Sequence, residues 1–287
     1  MKHRKVYHGI WAVLMTIASL VMLTPIIMMF VTSFKTMEEI KSPVFHLIPE
    51  SFSLVNYTDA LASGNWLLYF RNSLIITLSA VIFSLLFNSI AGYAFARLKF
   101  RGSKTLFSFL MIGLMMPAQV TMLPTFLIMA KFPLAGGNNI FGQGGTGLIN
   151  TFVGLIIPLV SGSYGIFLCK QFYENFPRAL DEAAEIDGAG KWRTYFQIYL
   201  PNSKAILATL ALTKGVAVWN DYLWPLVMTN SDGHKTVQLA LTMFKTETTI
   251  QWNQMMAAAV LIVLPMIILF LLAQKYFVQG IVASGLK

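Results

Sequence analysis

The feature that most constrains the fold of this chain is a set of six apolar stretches, each close to the length that crosses a lipid bilayer. A hydrocarbon core of about 30 Å is spanned by roughly 20 apolar residues in a helix. The stretches cover about residues 10–32, 72–96, 105–129, 151–171, 204–228 and 256–277. They predict an all-α integral membrane protein with six transmembrane helices, because a helix satisfies its own backbone hydrogen bonds inside lipid.

The composition agrees with a lipid environment. Charged residues make up 11% of the chain and hydrophobic residues 56%, whereas a soluble domain carries about 25% charged residues. Lys and Arg outnumber Asp and Glu by 21 to 12. These basic residues flank the apolar stretches and do not cluster with aromatic residues on a soluble module, as a nucleic-acid-binding surface would. The balance therefore predicts the lipid bilayer as a partner and excludes nucleic acid.

The distribution of the basic residues predicts the orientation of the chain. They are concentrated before the first stretch, between the second and third, between the fourth and fifth, and after the sixth. Cytoplasmic segments carry such an excess. Both termini are then cytoplasmic, as an even number of spans requires, and so is the segment 172–203. The stretch 10–32 is about twice as long as the apolar part of a signal peptide, so we expect a retained first span.

The most polar long segment, "EAAEIDGAGKWRTYFQIYLP" at 182–201, lies in this cytoplasmic loop. Pro177 suits the first turn of a helix, and Gly188 suits a left-handed cap at its end. Helical spacing places four residues on one narrow face, namely Leu180, Ala183, Ala184 and Asp187. The two alanines at the centre of that face permit close approach of another surface.

A second short helix is predicted over "KWRTYFQIYL", which Pro201 ends. It presents four aromatic side chains, Trp192, Tyr195, Phe196 and Tyr199. Two helices joined at glycines form an elbow that carries charges of both signs. A solvated loop is the plain alternative, but the alanine pair, the cap glycine and the aromatic helix together favour docking against a protein.

The segment "EAAEIDGA", followed by "FQIYLP", resembles the EAA motif of ATP-binding-cassette (ABC) importer permeases. In that family this loop forms the coupling helix, which sits in a cleft of the ATPase subunit and transmits its closure to the membrane helices. The resemblance implies that the residues that couple this chain to an ATPase are Glu182, Ala183, Ala184, Asp187, Gly188, Ala189 and Pro201.

Further segments resemble the carbohydrate-uptake branch of the family, and its MalG-like subunit in particular. They include "NSLIITLSAVIFSLLFNSIAGYAFARLKFRG" at 72–102, "VWNDYLWPL" at 218–226 and "KYFVQGIVASGLK" at 275–287. The resemblance implies the type I ABC importer permease fold in one permease domain, 1–287, with core spans at about 72–277. The coupling loop is then about 172–203, and the span at about 10–32 is an N-terminal addition.

The same resemblance implies a function, that of a permease subunit of an ATP-driven importer in the bacterial or archaeal cytoplasmic (inner) membrane. The expected solute is a carbohydrate, with an oligosaccharide as the favoured class. The implied partners are a second, MalF-like permease subunit, two copies of a cytoplasmic ABC ATPase and an extracellular or periplasmic solute-binding protein.

The chain is expected to be a transport subunit and not an enzyme. It has no G-x-x-x-x-G-K-[ST] sequence, since Trp192 follows the Lys of "DGAGKW". We therefore expect no cofactor on this chain, with ATP and Mg bound by the partner ATPase. The scattered histidines and the single cysteine predict no metal site. Cys169 lies in an apolar stretch and is expected to be a small buried hydrophobe.

Five residues are candidates for the translocation pathway or its gate: Met116, Gln119, Lys214, Asn220 and Asp221. By helical rise Lys214 lies about 15 Å into the fifth stretch. A charge there indicates either a pathway residue or one paired with an acid of a partner subunit. For Asn220 and Asp221 the resemblance implies structural or gating duty. The solute stays open among a neutral oligosaccharide, a uronate-containing oligosaccharide and a glycerol phosphate-type compound.

The external segment 131–147, "KFPLAGGNNIFGQGGTG", is longer than the family's usual turn. A loop that packs on a binding protein or a partner subunit is favoured over an anion site in its glycines. Two other classes of function are compatible with several membrane spans, a secondary transporter or channel and a membrane-bound enzyme. The first often shows repeats with paired broken helices and the second needs a catalytic constellation, and the sequence shows neither.

Overall fold

The computed structural model describes residues 2–285, with side chains described from 11 to 271. This part of the chain is helical and contains no strand; its one piece of β pairing is an isolated antiparallel bridge between Lys245 and Ile250. The expected all-α class is confirmed for the residues described.

The helices follow the chain in a simple order. The first seven are α1 (Lys2–Thr32), α2 (Met37–Lys41), α3 (Val55–Ala62), α4 (Trp66–Arg97), α5 (Ser103–Met115), α6 (Ala118–Ala130) and α7 (Phe152–Ile156). The remaining ones are α8 (Ser163–Glu174), α9 (Ala179–Ile186), α10 (Lys191–Thr194), α11 (Lys204–Trp219), α12 (Leu223–Met228), α13 (Val237–Ala240) and α14 (Trp252–Gly285).

The described residues fall into two compact units. The first takes Met1–Trp66 and Ala240–Pro265, and the second takes Leu67–Leu239 and Met266–Lys287. Inside the first unit, the Asn56 amide donates to the carbonyls of Ser33 and Lys35, both at 2.8 Å, and accepts from Asn253 at 2.7 Å. This buried amide joins the end of α1 to the start of α14.

Among the residues that the structure describes, three helical segments are long and apolar enough to cross a membrane, namely Trp11–Thr32, Trp66–Arg97 and Trp252–Leu271. Two further candidates are bent pairs of helices, Ser103–Met115 with Ala118–Ala130 and Phe152–Leu159 with Ser163–Glu174. The structure thus supports three to five spans by length and composition. The predicted stretch 204–228 is divided between α11 and α12, and α11 alone has 16 residues, fewer than the roughly 20 that span a bilayer.

The predicted stretch over 105–129 is not one continuous helix. The chain breaks at Met116 and Pro117, and α5 and α6 meet there at an angle of 109°. Met116 is extended, with ψ 125°, because a residue that precedes proline is disfavoured in the helical region. Pro124, by contrast, lies inside α6 without ending it.

The fourth predicted stretch, 151–171, is also broken, with a bend of 42° before α8. The buried amide of Asn88 on α4 supports this break, since its Oδ1 accepts from Ser161 Oγ at 2.9 Å and from the Gly162 amide at 3.1 Å. A broken helix inside a membrane needs such partners for the backbone groups that it frees. A Cβ on Gly165 would lie 2.7 Å from Asn88 Cγ, so only glycine permits this close crossing.

Two hydrophobic clusters form the core of the second unit. One contains Ile76, Leu155, Trp224 and Met228, and the other is built on buried tyrosines near the end of α4. Cys169 belongs to the tyrosine cluster and is fully buried, as predicted. A Cβ on Gly92 would lie 2.5 Å from Cys169 Cβ, so α4 and α8 cross in close contact at this glycine.

The glycine-rich segment 131–147 folds on itself. The Asn138 side chain, nearly buried, donates to the carbonyls of Ala130 and Phe132, each at 3.0 Å, and accepts from the Gly145 amide at 2.8 Å. Asn138 therefore closes the loop from inside, and its glycines, several of which have positive φ, provide the sharp turns.

Candidate docking surface

The polar loop forms two helical limbs joined at glycines, and we call residues 177–201 the elbow. Its first limb is α9, which begins two residues after Pro177. The chain leaves α9 through Gly188, whose φ of +69° lies in the left-handed region, where a side chain costs energy. The Ala189 amide donates to Ala184 O at 2.8 Å and completes the cap. The predicted helix and its glycine cap are both confirmed.

The second limb differs from the prediction at its end. It starts as α10 and continues as a single π-helical turn, Tyr195–Tyr199, in which the Leu200 amide donates to Tyr195 O at 2.9 Å. Pro201 does not end the limb; it stands in the first turn of a 3₁₀ segment, Pro201–Ser203, that runs directly into α11. The reason is that a first turn has no need of the amide hydrogen that proline lacks.

Side chains replace the backbone bonds that are lost at this junction. Asn202 Nδ2 donates to Ile198 O at 2.7 Å, and Ser203 Oγ donates to Tyr199 O at 2.5 Å. These two bonds give partners to backbone carbonyls of the π-helical turn. The second limb of the elbow therefore runs into α11 through Leu200, whose backbone angles are helical.

The outer surface of the elbow is not the alanine face that the spacing predicts. Ala184 is buried at 4% exposure and faces the protein, whereas Ala183 and Asp187 are exposed. Residues at i, i+3, i+4 and i+7 occupy an arc of the helix surface. On α9 the interior of the protein covers only part of that arc. The predicted narrow face is therefore divided between the interior and the outside.

Three apolar side chains dominate the exposed side instead, and we call them the elbow patch. Ile186 is 86% exposed, Trp192 64% and Phe196 49%. The Trp192 and Phe196 rings stack at 6.1 Å between centroids. Trp192 and Phe196 were among the predicted aromatic residues, but the other two, Tyr195 and Tyr199, are buried. Ile186 was missed, although an isoleucine between two acidic residues is an identifiable signal.

The inner surface of the elbow is fixed to α4 by a group that we call the anchor, namely Arg97, Asp181 and Tyr199. Arg97 Nη1 lies 3.3 Å from Asp181 Oδ2, and the Arg97 side chain is only 7% exposed. The same guanidinium donates to Tyr173 O, at 3.1 Å from Nε and 2.7 Å from Nη2, and to Phe176 O. One arginine thus ties the end of α4, the end of α8 and the start of α9 together.

The hydroxyl of Tyr199 completes the anchor, because it donates to both carboxylate oxygens of Asp181 at 2.9 Å. Burial, and then the hydrogen bond to Asp181, raises the pKa of Tyr199. The hydroxyl therefore stays protonated and able to donate. The Tyr199 ring also stacks on the Phe176 ring, with 5.1 Å between the centroids. The Arg97 guanidinium lies over the Tyr199 ring at 5.4 Å from its centroid.

Further contacts bind the second limb to α4. Ser89 Oγ and Tyr195 Oη are 2.6 Å apart, and Tyr93 Oη donates to Lys191 O at 3.3 Å. None of the anchor residues was predicted as a site residue, because Arg97 lies more than 70 positions from Tyr173 and Asp181 in the chain.

One close ion pair lies on the outside of the elbow. Lys191 Nζ lies 2.5 Å from Glu185 Oε1 across the glycine bend. The hydrogen bond from Lys191, and then its charge, lowers the pKa of Glu185. Among the other predicted coupling residues, Glu182, Gly188 and Pro201 are exposed, and Ala189 is partly buried. Most of the predicted coupling set is therefore exposed on the elbow.

The predicted pathway residues fall into two groups. Met116 and Gln119 are exposed at the sharp bend between α5 and α6. Lys214 is partly buried on α11, and within the described part of the chain its amine makes no hydrogen bond or ion pair. No hydrogen bond among the described residues joins Met116 or Gln119 to Lys214.

The other two candidates have structural partners. Asn220 ends α11; it accepts from Gln238 Nε2 and donates to Val216 O, both at 2.9 Å. The carboxylate of Asp221 accepts from the Trp224 amide at 3.2 Å at the start of α12. Both residues thus shape the break that separates α11 from α12.

Comparison with known proteins gives a consistent result. A family model described as "Binding-protein-dependent transport system inner membrane component" matches residues 88–283. The arabinooligosaccharides transport system permease protein AraQ of Halalkalibacterium halodurans is 31% identical over 266 residues, or 92% of this chain and 90% of that protein. The probable starch degradation products transport system permease protein AmyC of Thermoanaerobacterium thermosulfurigenes is 32% identical over 94% of each chain.

Similarity extends to a permease for a phosphorylated solute and to a solved structure. The sn-glycerol-3-phosphate transport system permease protein UgpE of Agrobacterium fabrum is 29% identical over 99% of each chain. A chain in the crystal structure of a bacterial ABC transporter involved in the import of the acidic polysaccharide alginate superposes with a TM-score of 0.79. That match covers 96% of this chain and 98% of the other at 23% identity, and it shows a shared fold.

Proposed function

Because this chain belongs to the family of binding-protein-dependent transport system inner membrane components, we propose that it is a permease subunit of an ATP-driven ABC importer for a carbohydrate. It is a multi-pass membrane protein of the inner membrane. The proposal adds its coupling to a separate ATPase, its partners and its solute class.

The observation that carries the proposal is the two-sided elbow. One side exposes the elbow patch, Ile186, Trp192 and Phe196. The other side is tied to α4 by the anchor and continues into α11. Exposed apolar side chains beside a charged rim are typical of a protein interface. An ATPase subunit on the cytoplasmic side is the partner that this family requires.

Coupling follows from these connections. When two ATPase subunits close on ATP and Mg, they displace the elbow that is seated on them. Since Arg97 holds α9 against α4, and since the second limb has no flexible joint before α11, both helices move with the elbow. This chain transmits the movement through the elbow, α4 and α11, and it binds no cofactor of its own. A second, MalF-like permease subunit completes the pathway, and an extracellular or periplasmic solute-binding protein delivers the solute.

The proposed topology has six spans with both termini in the cytoplasm. It counts α5 with α6, α7 with α8 and α11 with α12 as one broken span each. The basic residues of the sequence support this orientation, and the three breaks lie at Pro117, Gly162 and Asn220. Single cysteines placed at Lys41, Lys131 and Lys245 should react with a membrane-impermeant maleimide from outside intact cells, and one at Arg178 should not.

A carbohydrate, with an oligosaccharide as the favoured class, is the proposed solute. Relatives named for arabinooligosaccharides and for starch degradation products support this class. Lys214 bears on the charge of the solute, because its partly buried amine makes no hydrogen bond or ion pair with a described residue and interacts only at longer range with the Asp221 carboxylate. Such an amine suits an anionic group. If Lys214 lines the pathway, Lys214→Met should lower uptake of a uronate-containing oligosaccharide more than that of its neutral counterpart. Equal effects on both solutes would remove Lys214 from the pathway.

The docking claim is tested by charge insertion into the elbow patch. Ile186→Glu should prevent co-purification of the ATPase expressed from the neighbouring genes, because a carboxylate would be buried in an apolar contact. Ile48→Glu is the matched control, since Ile48 is 70% exposed and lies outside the elbow. Co-purification of the ATPase with Ile186→Glu at the level of the control would contradict the proposed docking.

A further inference from the structure

A second surface lies close to the elbow and contains none of its residues. It is a cleft of about 940 Å³ between the end of α4, the start of α5 and the end of α8. The ion pair between Arg97 and Asp181 places this cleft at the same end of the second unit as α9. Its volume falls within the roughly 300–1,000 Å³ of ordinary ligand sites.

The lining of the cleft is strongly basic. Four cations, Lys99, Arg101, Lys104 and Lys170, and a single carboxylate, Glu174, give a net charge of +3. Lys170 is already engaged, because its amine lies 2.6 Å from Glu174 Oε1 and 4.5 Å from the centroid of the Phe107 ring. The other three are exposed and make no ion pair with any described residue. The cleft therefore offers three cations to an anion from outside the chain.

Backbone geometry adds to this positive charge. Gly102, with φ +85°, turns the chain into α5, and no side chain caps the helix there. The first-turn amides of a helix favour an anion when they are left uncapped. They supplement the three cations and would not make a site without them.

The side chains that follow along α5 are apolar and exposed. Leu106 is 52% exposed and Phe109 66%. Cations at the mouth of a cleft, followed by exposed apolar side chains along a candidate span, match the boundary between lipid headgroups and acyl chains. A free phosphate ion would use only the cations, whereas a phospholipid would cover the apolar side chains as well.

We propose that this cleft binds the phosphate-bearing headgroup of an anionic phospholipid, whose acyl chains lie along the exposed side of α5. The headgroup phosphate meets Lys99, Arg101 and Lys104, and Lys170 with Glu174 closes the side of the cleft on α8. The bound lipid stabilises the end of α4 next to Arg97. The inference rests on membrane insertion and does not depend on the proposed docking of an ATPase.

The test is native mass spectrometry of the full-length chain in detergent, titrated with phosphatidylglycerol or with phosphatidylcholine. Each basic residue near a lipid phosphate contributes a factor of about five in affinity, so removal of three should weaken phosphatidylglycerol binding about a hundredfold. The variant Lys99→Gln, Arg101→Gln and Lys104→Gln is compared with Lys41→Gln, Lys131→Gln and Lys245→Gln, which removes the same charge elsewhere. Retained size-exclusion profiles check that both variants fold.

The expected result is preferential binding of phosphatidylglycerol that the cleft variant loses and the control variant keeps. Equal binding of the two lipids, or equal binding by the two variants, would overturn the proposal. Displacement of the lipid by excess inorganic phosphate would assign the site to a free anion. A photo-crosslinker attached to Arg101→Cys in the assembled complex should capture lipid, and capture of a protein subunit would also overturn it. Cys169 is buried and does not compete for the reagent.

Discussion

The most informative single substitution is Asp181→Asn, which removes the central charge of the anchor. Asp181 is 26% exposed and faces Arg97, which is 7% exposed. The variant loses the negative charge that attracts the guanidinium. It also keeps only one of the two oxygens that accept from the Tyr199 hydroxyl. The first limb of the elbow should therefore separate from α4 more often.

The size of the effect follows from the partners that remain. Breaking a fully buried ion pair costs about 3–5 kcal/mol, and a hydrogen bond to a charged group contributes about 1.5–3 kcal/mol. Arg97 keeps its bonds to the carbonyls of Tyr173 and Phe176, and Asp181 is partly hydrated. We therefore expect a loss of about 2 kcal/mol, or an increase of roughly thirtyfold in local opening.

Hydrogen–deuterium exchange of the amides in 179–203 measures this opening directly. The matched control is Asp232→Asn, because Asp232 pairs with Lys235 at 2.5 Å but is 66% exposed, and such surface pairs contribute little. Exchange in 179–203 should accelerate in Asp181→Asn and stay at the wild-type rate in the control. If the two variants exchange alike, Asp181 does not hold the elbow and the mechanical link to α4 is refuted.

Three further results are expected. Gly188→Leu, forced to φ +69°, should let the ATPase hydrolyse ATP without solute uptake, and normal uptake would contradict the role of the glycine cap. Gly92→Val should lower the unfolding temperature, since a Cβ there lies 2.5 Å from Cys169 Cβ and overpacking costs about 1–3 kcal/mol; a melting curve like that of the wild type would exclude the close crossing. Lys191 lowers the pKa of Glu185. The ion pair is therefore fully formed at pH values above the ordinary pKa of Glu, and it is lost as the pH falls through the lowered pKa of Glu185. Lys191→Gln should raise that pKa in a carboxyl NMR titration, and an unchanged value would show that the pair does not form.

Features set by local sequence were predictable. The helix after Pro177 and the left-handed Gly188 follow from proline and glycine stereochemistry, and the structure contains both. The burial of Cys169 follows from its apolar surroundings. Family membership was also identifiable, because the elbow motif is compact and specific.

Features set by distant contacts were not predictable. Pro25, Pro117 and Pro124 all lie in apolar stretches, yet only Pro117 stands at a sharp break. The second broken stretch depends on Asn88, which lies more than 70 positions from Gly162 and supplies the hydrogen bond that the break requires. Proline and glycine mark where a helix can break, but the partner that makes the break stable comes from another helix.

The same reasoning explains the errors at the elbow. Helical spacing places Ala183 and Ala184 on one face, but the direction in which α9 points is set by Asp181 and Arg97. That contact turns Ala184 inward and leaves Ile186 outside. A short helix has its orientation set by its anchors, and its sequence alone does not contain that information.

The central claim is that this chain transmits ATPase closure to a solute pathway. The most direct measurement is ATP hydrolysis and solute uptake in liposomes that contain this chain, its neighbouring permease and the ATPase, with and without a binding protein loaded with a candidate carbohydrate. The account predicts that the loaded binding protein stimulates both activities, and that Ile186→Glu abolishes both while Ile48→Glu retains them. Uptake that proceeds without ATP, or without any co-purified ATPase, would contradict it.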